Sequence, residues 1–349
     1  MAGMNDPSYI KLWQDGELRR RAALLEEHLS ECGLCPWRCG ANRLKERSKV
    51  CQAGYLPVIS AAAPHFGEEP GLSGAHLGPD AARGTGNIFF GYCNLRCVYC
   101  QNWQISQELA WQPGIEKTFD ELAQILLHLQ AHGCHNLGFV SPTPWTPQIL
   151  KAIEIAAGRG LNLPLIYNTN AYDSVDVLQL LEDVVDIYLP DLRYSDDSEA
   201  LRYSRAPDYT RRSRLAVAEM FRQLGADLVV DERGLVRRGL IIRLLILPND
   251  LAGVRATLEW ICEALSPRVT LSIMSQYYPT YKVTDETFPL LSRKIRRREY
   301  EQVLEWLDLY GFENGWIQPF EAGAPDYYRP DFSNPAAPFA DARDFSLHR

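Results

Sequence analysis

Three cysteines, Cys93, Cys97 and Cys100, follow directly on the apolar run Asn87–Tyr92 with spacings of x3 and x2. Thiolates are the soft ligands that iron–sulfur clusters use, and a loop leaving a strand end can aim three of them at one centre. Three ligands for a four-iron cube leave one iron open, and an open iron is a place where something else binds. No fourth thiol lies nearby, since the next cysteine, Cys134, belongs to the far end of a helix. A second set, Cys32, Cys35, Cys39 and Cys51, supplies four thiolates in a charged segment too small to fold around a core of its own. Four ligands close a site and staple the chain around it. Zinc there is structural, whereas an auxiliary iron–sulfur cluster is an electron relay or a second substrate site. The spacing permits both, and a closed zinc site is the preferred reading. Cys134 and Cys262 stand alone and read as inert core thiols.

The elements that must position these thiols alternate along the chain. Strands are expected at Asn87–Tyr92, Asn136–Val140, Leu165–Asn168, Val185–Leu189, Leu240–Leu247 and Val269–Met274. Helices are expected at Phe119–Ala131, Pro147–Ala157, Val175–Glu182, Ser198–Leu224, Leu251–Ala264 and Ile295–Tyr310, with a hairpin turning on Glu232-Arg233-Gly234. Such βα units joined by right-handed crossovers make a parallel sheet. Polar residues follow almost every strand: Ser141-Pro142-Thr143, Thr169-Asn170, Asp191 with Arg193, and Ser275-Gln276-Tyr277. Parallel strands converge their βα loops on one face, where such folds place chemistry. An open doubly wound sheet satisfies the same alternation, but the polar strand ends favour a barrel, so the expected class is α/β: a partial (β/α)6 TIM-like barrel, with an N-terminal helical Cys-rich module and an extended C-terminal tail. The boundaries are residues 1–55 for the module, 56–86 for an ordered loop or linker, 87–320 for the barrel and 321–349 for the tail.

Composition excludes several classes. Of 349 residues, 46% are hydrophobic and 23% charged, the balance of a packed globular protein rather than a disordered one. The formal net charge of −8 argues against broad binding to nucleic acid or to anionic membrane. The basic stretch Arg293–Arg298 reads as the charged start of a helix. The first thirty residues are rich in charge and contain no apolar signal core, and no stretch reaches membrane-spanning length. A cytoplasmic protein is expected, and in a reducing compartment clustered cysteines mean metal or redox chemistry before disulfides.

The run Phe89-Phe90-Gly91-Tyr92-Cys93-Asn94-Leu95-Arg96-Cys97-Val98-Tyr99-Cys100-Gln101-Asn102 closely resembles the cluster loop of radical S-adenosylmethionine (SAM) enzymes. More narrowly, Gly84–Phe90, Tyr167–Asn170, Asp186–Asp191 and Met274–Tyr277 resemble the PflX-like branch, related to pyruvate formate-lyase activating enzymes. The resemblance implies a [4Fe-4S] cluster on Cys93, Cys97 and Cys100, with SAM chelating the open iron and yielding a 5′-deoxyadenosyl radical on reduction. It implies that Tyr99 faces the adenine, that Asn168 and Asn170 meet the ribose or methionine part of SAM, and that Asp191 and Arg193 stand where activases carry an Asp and a Lys. Arg193 would bind the SAM carboxylate as a fork. A one-electron donor such as flavodoxin or ferredoxin is implied as a partner. The substrate is a glycyl-radical enzyme if the chain is an activase, and otherwise a small molecule, peptide or cofactor. The chain departs from the family after the second strand, where Val140-Ser141-Pro142-Thr143-Pro144 replaces a Gly-Gly-Glu-like contact to the methionyl amino group.

Arg243 interrupts an apolar strand and needs a partner or a wet cavity. A SAM carboxylate at the barrel mouth and a structural pair with an acidic neighbour such as Asp191 are the two readings. His65-Phe66-Gly67-Glu68-Glu69-Pro70 also matches the family, and either covers the cluster or only shapes a loop. The competing function class is a non-catalytic iron–sulfur or zinc sensor or scaffold, which needs a cluster but no polar groups converging at the strand ends.

Overall fold

A computed structural model describes residues 6–108, 115–320 and 330–332. The N-terminal helices are α1 (Tyr9–Gln14) and α2 (Glu17–Glu27), after which the cysteines of the first module lie in a segment without regular structure. There follow β1 (Ile59–His65), α3 (Pro70–Ser73), β2 (Thr85–Phe90), α4 (Trp103–Ser106), α5 (Phe119–Ala131), β3 (Leu137–Val140) and α6 (Thr146–Ala157). The middle of the chain forms β4 (Leu165–Thr169), α7 (Val175–Leu180), β5 (Ile187–Pro190), α8 (Asp197–Ser204) and α9 (Tyr209–Leu224). Last come β6 (Val229–Val230), β7 (Val236–Leu245), α10 (Val254–Ala264), β8 (Thr270–Met274), α11 (Arg297–Tyr310) and β9 (Gly315–Ile317).

One sheet runs β1-β2-β3-β4-β5-β7-β8-β9, with β6 paired to β7 as the expected hairpin. Every pairing from β2 to β9 along this path is parallel, and β1 lies antiparallel to β2. The order does not return on itself, so the sheet is an open, partial barrel. Strands such as β2 and β8 are buried at every position, as parallel strands covered by helices must be. That is why they read as unbroken apolar runs instead of alternating ones.

Three expectations change. The segment 56–86, expected as a loop, contains β1. Its Ala-rich composition and Pro64 argue against a central strand, but among the described residues β1 pairs with no strand other than β2, and Pro64 stands opposite Gly86 there. An edge tolerates a residue without an N–H. The helix expected over Ser198–Leu224 is two helices. Pro207 biases Ala206 away from helical backbone, and Arg205 and Asp208 take left-handed φ of 51° and 55°. The break ends α8 at Ser204, where the side chain is used by the site. A seventh parallel strand, β9, extends the six expected. The basic stretch does begin a helix: Arg296 is the N-cap position of α11, where its backbone N–H donates to Glu299 (2.7 Å), and Arg293 pairs with Glu299 at 2.7 Å. Among the described residues no helix is long and apolar enough to cross a membrane. The expected tail, 321–349, lies outside the described residues except for 330–332, where Phe332 packs on Phe89 of β2 with ring centroids 5.5 Å apart.

Candidate functional site

The C-terminal ends of the parallel strands open on a cavity of about 510 Å³. All nine residues expected around the cluster and its ligand line it: Cys93, Cys97, Cys100, Tyr99, Asn168, Asn170, Asp191, Arg193 and Arg243. The chain leaves β2 through Tyr92 at a left-handed φ of 68°, and this turn starts the cysteine loop. Each thiol then meets a side chain from outside its x3, x2 motif. Cys93 Sγ accepts from the Asn170 amide (3.4 Å) and from the backbone N–H of Leu95 (3.4 Å). Cys97 Sγ accepts from Ser204 Oγ (3.0 Å), and Cys100 Sγ lies 3.3 Å from Ser106 Oγ. The Ser204 contact is the near end of a chain of hydroxyls, Tyr99 to Tyr194 (2.7 Å) and Tyr194 to Ser204 (2.8 Å). The Tyr99 hydroxyl is thereby turned into the core, and its ring packs edge-on to Tyr277. Burial, with neighbouring Cys97, pushes the Cys100 thiol up to about 12, and burial raises Cys93 as well. Burial thus favours the protonated form of Cys93 and Cys100, and a metal centre bound there would take the place of those protons.

Two arginines face the cavity in different ways. Arg193 Nη2 donates to Asp191 (2.5 Å), and its buried Nε has no hydrogen-bond partner among the described residues. Its backbone N–H donates to the Tyr209 hydroxyl, which in turn reaches the carbonyls of Asn170 (2.9 Å) and Asp191 (3.0 Å) and so ties the exits of β4 and β5 together. Arg243 is not paired to Asp191, the neighbour named from the sequence. It forms a fork on Glu69 (2.7 and 2.6 Å) and also donates to Glu68. Register explains the difference. The β7 backbone at Arg243 bridges Asp191, which places the two residues side by side, while the loop after β1 delivers Glu68 and Glu69 across the mouth. Glu68 also accepts from the Asn87 amide (2.6 Å) and lies 3.4 Å from His65. Gly138 leaves room for that amide, since a Cβ there would fall 2.1 Å from Asn87 Oδ1.

Asn168 and Asn170 also part ways. The Asn170 amide is committed to Cys93 and to Asn94 Oδ1 (2.8 Å), so it braces the cysteine loop. Asn168 keeps its side chain on the cavity wall, and its carbonyl accepts from Ser141. Of the residues standing where a Gly-Gly-Glu-like contact was expected, Ser141 lines the cavity at a φ of 59°. Thr143 is turned away and donates to the buried Asp173 (2.7 Å).

Residues 87–237 match the family described as "Radical SAM superfamily". The match covers less than half of the chain and marks a radical SAM domain within it. It is 29% identical over 324 residues to the uncharacterized protein MJ0674 of Methanocaldococcus jannaschii, covering 88% of this chain and 82% of that protein. A second uncharacterized protein of that organism, MJ0808, is 24% identical over 274 residues, covering 75% and 74%. Among solved structures, HydG, a maturase of the [FeFe]-hydrogenase, is similar at 14% identity and a TM-score of 0.46, covering 66% of this chain and 50% of that one.

A radical SAM domain over residues 87–237 implies a [4Fe-4S] cluster, SAM and enzymatic radical chemistry. The radical SAM cavity fits such groups: it is walled by three thiols of the motif and by the unpartnered Nε of Arg193. The second cysteine set lies behind the same loop. Cys32, Cys35, Cys39 and Cys51 line a separate void together with Asn94 and Thr143. Trp37 Nε1 donates to the Asn94 carbonyl (2.8 Å), and Arg96 Nη2 donates to the Val50 carbonyl (2.6 Å). Sequence reasoning missed the roles of Asn94, Ser204, Tyr209 and the Glu68–Glu69 clamp. Only the clamp left a signal, the His65–Pro70 run, because the others matter through contacts that no local spacing encodes.

Proposed function

We propose that this protein binds a [4Fe-4S] cluster through Cys93, Cys97 and Cys100 and SAM in the cavity at the strand ends. The observation that carries the reading is the convergence of the three thiols with Asn168, Asp191 and Arg193 on one wall-lined space. When bound, the pair supplies reductive cleavage of SAM and a 5′-deoxyadenosyl radical that abstracts hydrogen from a substrate. The protein's own residues hold and orient. Arg193 presents a free N–H and a charge anchored by Asp191, suited to a carboxylate. Arg243 has its Nε and Nη2 spent on Glu68 and Glu69 and therefore shapes the wall instead of offering a fork to ligand. Tyr99 gives a ring face, Ser141 and Asn168 give polar edges, and Asn170 positions the cluster loop. The test is formation of 5′-deoxyadenosine by the anaerobically reconstituted, reduced protein supplied with SAM. No nucleoside from protein carrying a full cluster would refute the reading.

Loss of the Arg193 contact should show in binding. Charge-assisted hydrogen bonds contribute about 1.5–3 kcal/mol, so Arg193→Ala is expected to weaken SAM affinity about 10-fold or more in equilibrium dialysis, with iron content unchanged. Unaltered affinity would remove Arg193 from the SAM site. The finer role, activation of a glycyl-radical enzyme, is supported by the likeness of Tyr167–Asn170 and Met274–Tyr277 to the PflX-like branch, which is related to pyruvate formate-lyase activating enzymes. It is tested by incubating the reduced protein and SAM with a candidate partner and looking for a glycyl radical by electron paramagnetic resonance. A flavodoxin- or ferredoxin-class protein is the proposed reductant, and the N-terminal thiols support a second metal centre in the chain.

A further inference from the structure

Reduction of a cluster held by Cys93, Cys97 and Cys100 needs a route for an electron that stays open when ligands fill the cavity mouth. The back of the cysteine loop offers one. There residues 96–98 are bracketed by backbone hydrogen bonds. The N–H groups of Arg96 and Val98 donate to the carbonyls of Ser204 (2.9 Å) and Tyr203 (2.8 Å), and the N–H of Lys282 donates to the Val98 carbonyl (3.0 Å). Arg96 Nη2 holds the Val50 carbonyl of the N-terminal module (2.6 Å). Cys97 sits in the middle of this layer, and Ser204, which donates to its sulfur, is followed by the exposed Arg205.

The four stretches so joined, 48–52, 94–104, 200–207 and 277–283, contain Lys49, Arg96, Arg202, Arg205 and Lys282 and neither Asp nor Glu, in a chain whose formal net charge is −8. Lys49, Arg202, Arg205 and Lys282 are exposed, and none forms an ion pair with a carboxylate among the described residues. The acids that bound these stretches most closely in sequence are Glu46, Glu199, Asp208 and Asp285, of which Asp208 is spent on Arg211 and Arg212. Apolar surface accompanies the charge. Leu201 is 55% exposed, and Trp103 stacks on Tyr281 with centroids 5.3 Å apart, the Lys282 ammonium standing 4.8 Å from the Tyr281 ring. Aromatic and arginine side chains are enriched where proteins dock, and unpaired cations select a partner of opposite charge.

We infer that this basic surface, formed by Lys49, Arg202, Arg205 and Lys282 around the back of residues 96–98, docks an acidic one-electron carrier protein and admits its electron on the Cys97 side of the loop. The inference rests on the proposed cluster at Cys93, Cys97 and Cys100. One electron leaves the reduced carrier and enters the oxidised cluster, and no atom is transferred.

The test is the reconstituted full chain carrying Arg202→Glu, Arg205→Glu and Lys282→Glu, mixed anaerobically with the hydroquinone of an acidic flavodoxin and followed by the loss of cluster absorbance. At low ionic strength the bimolecular rate is expected to fall about 10-fold or more below wild type. Titration calorimetry with oxidised flavodoxin should show a matching loss of affinity. Wild-type reduction should slow as salt is added, whereas the variant's rate stays flat or rises. Reduced methyl viologen, a small cation with no need to dock, should reduce the variant no more slowly than the wild type. Equal rates with flavodoxin would overturn the surface, and so would equal losses with both donors, which trace the effect to the cluster itself. Should the triple variant hold no iron, Lys282→Glu alone and the salt dependence of the wild type decide. A slower single variant with a salt-sensitive wild type supports the inference, and the lack of either overturns it. A wild type without iron would fail the cluster reading, and the docking surface with it, before any donor is added.

Discussion

Cys97→Ala is expected to abolish 5′-deoxyadenosine formation, reducing it to the level seen without protein. Cys97 is the middle thiol of the motif, it is buried, and its sulfur has a dedicated donor in Ser204 at 3.0 Å. Removing it leaves two thiols and an unfilled site, which cannot retain a four-iron cube with one defined open corner. The measurement is chromatography of SAM reactions run side by side for wild type and variant at matched protein concentration. A variant that still makes the nucleoside would sink the assignment of Cys97 as a ligand. Ser204→Ala separates support from ligation. Its cluster should assemble, but hydrogen bonds to cluster sulfurs raise the reduction potential, so the potential is expected to move negative. An unchanged potential in a spectroscopic titration would show that the hydroxyl chain from Tyr99 has no influence on the cluster.

Arg243→Met is expected to be the most destabilising substitution at the site, costing about 3–5 kcal/mol, the range for removing one partner of a buried ion pair. Arg243 is 12% exposed, and its carboxylate partners Glu68 and Glu69 are 9% and 5% exposed. Without the guanidinium, both carboxylates stay buried at the cavity wall and uncompensated, and the loop after β1 loses its anchor to β7. Chemical denaturation at neutral pH measures the loss, and a change under about 1 kcal/mol would show the clamp to be energetically idle. The wild type should also depend on pH through this cluster. Burial alone would raise the carboxyl of Glu68, but the charge of Arg243, helped by His65, pulls it well below the ordinary glutamate value of 4.5. A carboxylate with a lowered native pKa binds protons less readily folded than unfolded. Its stabilising contribution is therefore complete above about pH 4.5 and is withdrawn as pH falls below that. Arg243→Met should flatten this part of the stability profile between about pH 5 and pH 3. A slope as steep as that of the wild type would contradict the assigned cause.

Much of this protein was readable from its residues because the relevant physics is local. The x3, x2 spacing of Cys93, Cys97 and Cys100 after an apolar run specifies three soft ligands on one loop, whatever surrounds them. Strands buried on both faces read as continuous apolar runs, and helices such as Phe119–Ala131 carry their own amphipathic period and capping box. Convergence of Asn168, Asn170, Asp191 and Arg193 followed as well, since parallel strands must place their exits on one face. Edge and breakpoint residues resisted. Whether Ile59–His65 forms a strand depends on β2 being free to pair with it, and Pro207 breaks a helix whose apolar period continues through it.

Sequence by itself thus determined the ligand type, the α/β class and the face on which chemistry gathers, because each is set by residue chemistry and short-range periodicity. Tertiary structure alone decided which polar groups are free and which are spent. Arg193 and Arg243 are the same residue type in comparable positions, yet one keeps a buried, unpartnered Nε while the other is clamped by Glu68 and Glu69 from 174 residues away or more. Asn168 and Asn170 differ in the same way.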